Sequence, residues 1–393
     1  MANNLEFLKG VIQEMKDNNL YGTLPVMESP QGPKVTMGGK EYISLSSNSY
    51  LNLTNHPRLK AAAQEMLETY GVGTGAVRQI AGTIDIHNKV EEKLAKFKDT
   101  PSALLFVAGI AANRGTIQAL MEKGDVIISD ELNHGSIIDG VRLTKADRKI
   151  YPHSDMDGLK KALEESKGAN KTLVVTDGVF SMDGDIAKLD QIVELTEQYG
   201  AITMVDDAHG DGVLGKDGRG IISHYKLEGR VDIDMGTLSK AFGCLGGYIA
   251  GVPELRDYMT NRARSFIFTT SLPPAVIGAI SAVIDVVQEE PEHLKNLWDN
   301  GNYLKKELSA LGFNTGHSET PITPVIVGDG KNANELAAGL IGEGIFTKPI
   351  VYPLVAKDKA RIRVMVNSGH TREDLDYCVQ KFGEIGKRLG IIK

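Results

Sequence analysis

The sequence predicts an α/β protein built on a mostly parallel central sheet, and three observations carry that prediction. Short apolar runs alternate with helical patterns from about residue 57 to 250. The runs are continuously apolar, as strands buried on both faces of a parallel sheet must be. Three polar, chemistry-bearing segments follow directly on predicted strands, where open α/β sheets bind ligands.

The elements follow in chain order. Leu5, Leu8 and Ile12 alternate with Glu6, Lys9 and Glu14, which reads as an amphipathic helix and not as a signal peptide. A strand is expected near 42–45 and a helix over 58–70. Strands are expected at 103–107, 126–129, 173–176, 202–205, 233–235 and 247–251, with helices at 112–121, 156–165 and 189–199 between them. That alternation is the signature of βαβ units. Beyond residue 285 the texture changes to a long helix from the Pro291 region to Leu311, strands near 324–327 and 361–366, and a last helix starting at Thr371. Thr371 and Asp374 have capping-box spacing, and Leu375, Cys378, Val379, Phe382 and Ile385 share one face. The expected organisation is an N-terminal helix and strand segment (1–55), a large α/β domain (56–285) and a small α+β C-terminal domain (286–393), with the N-terminal helix and strand packing beside the last.

Composition narrows the function. Of 393 residues, 41% are hydrophobic and 24% charged, with a formal charge of −7. Such a chain is ordinary for a globular protein, and it offers no electrostatic reason to bind nucleic acid or an anionic membrane. Cys244 and Cys378 are too few for a disulfide framework or a cysteine-based zinc site, and no metal centre is expected. The longest apolar run, 275–284, stops at Asp285 and falls short of the roughly 20 residues that span a bilayer. A cytoplasmic location is the expectation.

Two glycine patterns fail as nucleotide sites. Gly71, Gly73 and Ala76 have dinucleotide-fingerprint spacing, but they follow a helical segment where a strand is needed. Gly210, Gly215 and Lys216 match a phosphate loop until Asp217 replaces the metal-binding hydroxyl, so the segment reads as a surface turn. A better anion site is the strand-to-helix turn at Gly109 and Ile110, where unpaired helix N–H groups favour a phosphate.

The chemistry concentrates in Asp206 to Gly210 after the strand 202–205, in Thr237 to Gly243 after 233–235, and in Asp130 to Ser136 after 126–129. Taken singly, each reads as a cap, a solvated loop or a structural histidine. Together they supply what pyridoxal phosphate (PLP) requires. Lys240 is available for a Schiff base, Asp206 for the pyridine nitrogen, His134 for the ring face and the Gly109 turn for the phosphate.

With those residues in view, the chain resembles the α-oxoamine synthases, fold-type I PLP enzymes that condense an amino acid with an acyl-CoA. The resemblance runs from about residue 45 to 389. It rests on the stretches 130–143 (DELNHGSIIDGVRL), 176–187 (TDGVFSMDGDIA), 205–210, 237–243, 266–274 (FIFTTSLPP) and 360–363 (ARIR). It implies a large PLP-binding domain with a mostly parallel sheet and a smaller C-terminal domain. By the same resemblance, Lys240 holds the cofactor and then removes the Cα proton, Asp206 pairs with the pyridinium nitrogen, His209 meets the ring 3′-oxygen and His134 stacks on the ring. Gly109, Ile110 and Thr237 hold the phosphate, with Thr269 and Thr270 reaching it from the neighbouring subunit of an obligate homodimer. Arg363 grips the substrate carboxylate with Asn48 and Ser181, Ser181 also counting among the cofactor contacts. Within the family, the 133–142 and 176–184 stretches favour the glycine C-acetyltransferase branch, which joins glycine to acetyl-CoA in threonine metabolism. The alternative is the 8-amino-7-oxononanoate synthase branch of biotin synthesis. The chain departs from the family pattern at Ser49 and Asn52, at Ala108 and Ile110, at Asp211 and at Asn367, positions expected to touch the acyl and substrate side.

Overall fold

The computed structural model describes residues 4–17 and 20–393. Its centre is a seven-stranded sheet whose strands, numbered in chain order, are β1 (Ser102–Phe106), β2 (Val126–Asp130), β3 (Asp147–Tyr151), β4 (Thr172–Asp177), β5 (Ile202–Asp206), β6 (Ile233–Thr237) and β7 (Gly247–Gly251). The order across the sheet is β1-β7-β6-β5-β4-β2-β3. Neighbours from β6 to β3 run parallel, whereas β7 runs antiparallel to both β6 and β1. The sheet is therefore mixed but mostly parallel, as expected, with β7 its one antiparallel member. β3 has no counterpart in the sequence reading. It is an edge strand with one partner, so Asp147, Arg148 and Ile150 face solvent and the apolar signal is lost.

Alternation along the strands builds two cores. Leu104, Phe106, Ile127, Leu173 and Val175 face helices Gly109–Leu120 and Gly135–Arg142 through Ile117 and Ile137. Leu105, Ile128, Val174, Val205 and Tyr248 face the other way, toward helices that include Asp85–Phe97 and Pro274–Glu289. The period of two puts successive side chains on opposite faces. Because β2, β4, β5 and β6 are parallel, Asp130, Asp177, Asp206 and Thr237 all emerge at one edge.

A second sheet pairs Lys40–Ser44 with Lys34–Met37 and, in parallel, with Ile345–Phe346. A third sets Ala360–Met365 between Ile322–Gly328 and Pro349–Ile350. The last helix, Arg372–Arg388, begins with the expected box: Asp374 N–H donates to Thr371 Oγ1 at 3.2 Å and Thr371 N–H to Asp374 Oδ2 at 3.3 Å. The expectation that the N-terminal helix packs is corrected. Leu8–Asp17 is helical but buries none of its residues, and only the strand beside it joins the C-terminal layer. Among the described residues no helix is long and apolar enough to cross a membrane.

The loop after β5 also differs from expectation. The surface turn inferred at Gly210 is buried from Gly210 through Leu214, with Lys216 as its exposed tip. It wraps a buried ammonium. Lys98 Nζ lies 2.7 Å from Asp211 Oδ1, 3.0 Å from Asp234 Oδ2 and 3.4 Å from Asp207 Oδ2, and donates to the Arg219 carbonyl at 2.7 Å. Tyr248 OH donates to Asp211 Oδ2 at 2.6 Å. Glycine is required around this cluster, since a Cβ on Gly210 or Gly220 would stand 1.9 or 1.7 Å from the Asp207 carboxylate. Asp211 thus faces Lys98 and not the acyl side, which corrects the expectation for that departure. Burial pushes the Asp211 carboxyl up to about 6 despite Lys98.

Replacing Lys98 with Met leaves three buried carboxylates without their cation. The expected loss is about 3–5 kcal/mol of unfolding free energy, read from urea denaturation. A loss below about 1 kcal/mol would show that the cluster holds nothing together.

Candidate active site

The polar edge of the sheet opens into a cavity of about 250 Å³. Gly109, Ile110, His134, Ser181, Asp206, His209, Thr237 and Lys240, eight of the sequence-predicted residues, line it. Thr269 and Thr270 do not. Thr270 forms an isolated antiparallel bridge with Val77, and Thr269 lines a small separate pocket with Arg78 and His87.

Asp206 ends β5, buried, and two donors fix its carboxylate. Ala208 N–H donates to Oδ1 at 3.0 Å and Asn113 Nδ2 to Oδ2 at 2.7 Å. Asn113 also donates to Ser136 Oγ at 2.8 Å, so its amide links the Gly109–Leu120 helix to the His134 turn. His134 is the N-cap of Gly135–Arg142, and its Nδ1 accepts from Ser136 N–H at 3.2 Å. An accepting Nδ1 carries no proton, so the Ser136 hydroxyl, 2.7 Å away, donates to it as well. The neutral ring then keeps its proton on Nε2. Burial holds the His134 pKa below the ordinary histidine value.

Lys240 lines the cavity half-buried, and partial burial lowers its pKa against the opposing pull of Asp206 and Asp177. Asp177 lies beside Asp206 in register. Its Oδ2 accepts the His134 N–H at 3.1 Å, and burial, then the Asp206 charge, raise its pKa well above the carboxylate range. Across the cavity, His209 Nδ1 and Tyr50 OH are 2.7 Å apart. Burial, then the Lys240 charge, keep the His209 imidazole neutral at ordinary pH.

The opposite end is shaped for an anion. Gly109 starts its helix at the cavity, and among the described residues Gly109 N–H and Ile110 N–H have no acceptor. A Cβ on Gly109 would stand 3.1 Å from Thr237 Cβ and 3.2 Å from its hydroxyl, so glycine lets the helix start approach β6. Thr237 Oγ1 lies 2.8 Å from Ser239 Oγ. Free donors, two hydroxyls, a helix N-terminus, a fixed carboxylate and a half-buried lysine fit PLP end to end.

Arg363 stands on the central strand of the third sheet and reaches back to the first. It donates to Asn48 Oδ1 at 3.2 Å and to the Ser181 carbonyl at 3.1 Å, so the structure brings together all three residues expected at the substrate carboxylate. Asn52 occupies the left-handed region at φ 56°, which asparagine tolerates better than most residues. That conformation, otherwise favoured by glycine, is how Asn52 fits at this departure from the family pattern. Sequence reasoning missed Asn113, Ser136, Asp177, Ser239 and Tyr50 as site residues, although each lies in or beside a quoted segment. Asn113, Asp177 and Tyr50 act through contacts to elements far apart in the chain, whereas Ser136 and Ser239 meet His134 and Thr237 only two residues away.

The segment bearing Ser181 is pinned from two sides. Arg361 donates to the Met182 carbonyl and to Asp183. His153 Nδ1 lies 3.0 Å from Asp130 Oδ1, and its Nε2 2.8 Å from Asp185 Oδ2. Burial would lower the His153 pKa, but the two carboxylates outweigh it and hold it up at about 10. A pKa raised on folding gives stability that is complete below the unfolded value, about 6.5, and is lost as pH rises through 10. At pH 7 the substitution His153→Gln is expected to cost on the order of 2 kcal/mol after allowance for partial exposure. That cost should shrink steadily toward pH 10 in thermal unfolding, and a penalty independent of pH would contradict the clamp.

Comparisons with known proteins agree with this geometry. The family model for class I and II aminotransferases matches residues 40–382. An 8-amino-7-oxononanoate synthase from Thermoanaerobacter pseudethanolicus is 53% identical, covering 99% of each chain. Another, from Bacillus subtilis (strain 168), is 49% identical over 100% of each. A structure of SPT, serine palmitoyltransferase, with PLP superposes with a TM-score of 0.94 at 31% identity, covering 100% of both chains. These findings overturn the expectation of glycine C-acetyltransferase and of threonine metabolism, since full-length relatives near half identity carry the name of the alternative. The fold is the fold-type I PLP-dependent transferase fold and the cofactor is PLP. With cavity, fold and relatives in agreement, the chain belongs to the class I and II aminotransferase family, among its PLP-dependent α-oxoamine synthase-like acyltransferases.

Proposed function

We propose that the protein condenses alanine with a pimeloyl thioester to give 8-amino-7-oxononanoate, carbon dioxide and the free thiol. The observation that carries this reading is the 53% identity to an 8-amino-7-oxononanoate synthase across 99% of both chains. The product's own skeleton names its precursors. Cutting the bond between C7 and C8 leaves a seven-carbon acyl group ending in a carboxylate and a two-carbon amine, which is alanine after loss of its carboxyl group.

When bound, PLP supplies a conjugated ring that stabilises negative charge at the amino acid's Cα. The chain's residues do the rest. Lys240 anchors the cofactor and moves the Cα proton; its partial burial lowers the amine's pKa toward a useful base. Asp206, held by Asn113 and Ala208, keeps the pyridine nitrogen protonated. His134 covers the ring face, and His209 donates from Nε2 to the ring oxygen while Tyr50 fixes its Nδ1. Gly109, Ile110, Thr237 and Ser239 hold the phosphate. Arg363 receives the alanine carboxylate, its fork partly oriented by Asn48 and the Ser181 carbonyl.

The active unit in this reading is a homodimer in which Thr269 and Thr270 of one copy complete the phosphate site of the other. Their position outside the cavity of their own chain supports it. So does the exposure of Phe268 (68%), the apolar residue directly before Thr269.

The test loads the enzyme with PLP and compares alanine plus pimeloyl-CoA with glycine plus acetyl-CoA, identifying products by mass. The first pair should give 8-amino-7-oxononanoate at the higher kcat/KM, and Lys240→Ala should lower its formation by about 10³-fold or more. Preference for the second pair, or activity surviving Lys240→Ala, would refute the proposal.

A further inference from the structure

One group of side chains of metal-ligating type lies outside the active site, at the joint between two long helices. His56 is the N-cap of helix Pro57–Tyr70. Glu290 follows helix Pro274–Glu289, its N–H donating to Val286 O at 2.8 Å. His293 sits in the first turn of helix Glu292–Ala310. The chain thus brings three separate elements to one point.

The ligand atoms converge. His56 Nε2 lies 3.2 Å and His293 Nε2 3.3 Å from the same oxygen, Glu290 Oε2. All three ligand atoms lie within 4.8 Å of one another, with the two rings at 78°. Ligands about 2.0–2.1 Å from a tetrahedral zinc ion stand about 3.3 Å apart, so both measured edges have the spacing of one coordination shell. The other carboxylate oxygen is spoken for: Arg58 donates to Glu290 Oε1 at 3.0 Å and pairs with Glu289 at 2.7 Å. This leaves Oε2 aimed at the histidines, the arrangement by which an outer partner orients a ligating carboxylate. Each ring's Nε2–H donates to Glu290 Oε2, so an ion binding there replaces those two protons, and among the described residues the enclosed His56 Nδ1 has no partner that would oppose its carrying the ring's proton instead.

The site also has access and an open position. His56 and His293 line a cavity of about 460 Å³ with Asn52, Asn55 and Glu41, and none of its lining residues is shared with the PLP cavity. Two imidazoles and one carboxylate leave a fourth position for water. That donor set suits zinc, cobalt or nickel, and not calcium or magnesium, which take oxygen ligands alone.

We propose that His56, Glu290 and His293 bind one divalent transition-metal ion of the zinc class. The ion ties the segment that follows Asn48 and Asn52 to the joint at Glu290. Binding then stabilises the folded chain and restrains the N-terminal side of the substrate pocket.

The experiment uses the untagged, PLP-loaded enzyme after chelation. It is titrated with Co²⁺, followed by visible absorption, and with Zn²⁺, followed by melting temperature. Expected are one ion per chain, the absorption bands of a low-coordinate cobalt site, and a melting temperature that rises with free Zn²⁺. His56→Gln and His293→Gln should each weaken binding at least about tenfold, since each removes one of three ligands. Both histidines are half-buried, and the His293 variant, at the more exposed of the two, serves should the His56 variant fail to fold. Absence of stoichiometric binding in the wild type, or equal binding in a folded variant, would reduce the cluster to a hydrogen-bonded clamp and overturn the proposal.

Discussion

The structure turns on one buried negative charge held still. Asp206 ends β5 deep beneath the cavity, with Asn113 and the Ala208 N–H fixing its two oxygens. A carboxylate in such a place costs free energy unless hydrogen bonds satisfy it. The two donors meet that requirement and also aim it. Asn113 divides its amide between Asp206 and Ser136, so it links the carboxylate to the residue whose backbone N–H sets the His134 tautomer. Lys240 and Asp177 both feel the Asp206 charge, the first held more basic by it and the second, whose pKa burial already raises, pushed further above the carboxylate range.

Behind this layer stands another. Asp207, the next residue, turns to the opposite side of the chain, where Lys98 gathers it with Asp211 and Asp234. Consecutive aspartates therefore serve two separate sites, one facing the cofactor and one anchoring the buried loop that carries His209. The glycines at 210 and 220 belong to this arrangement, because any side chain there would displace the Asp207 carboxylate. Rigidity of the proposed catalytic groups thus comes from charge pairing below the site as much as from packing around it.

Much of this was legible in the sequence. The apolar runs located six of the seven central strands, and the polar segments at their ends with the Gly109 turn located seven residues of the cavity, Ser181 coming from the family resemblance. What escaped had physical reasons. β3 is an edge strand with solvent-facing charges, and the direction of β7 is set by pairing, which local pattern does not encode. The loop at Gly210 looks polar because its charges are neutralised by Lys98, more than a hundred residues earlier in the chain. Asn113 and Tyr50 act through partners on distant elements, as do His56 and Glu290. The wrong choice between two branches of one family has a chemical origin: both use the same cofactor groups, and glycine differs from alanine by one methyl, worth only about 1–3 kcal/mol of discrimination.

The central claim is that Asp206, fixed by Asn113, holds a proton on the cofactor's ring nitrogen. The direct measurement is ¹⁵N NMR of the enzyme loaded with PLP labelled at that nitrogen, in the wild type and in Asp206→Asn. The account predicts a protonated resonance across neutral pH in the wild type and an unprotonated one in Asp206→Asn. An unprotonated wild-type nitrogen, or a resonance indifferent to the substitution, would contradict it.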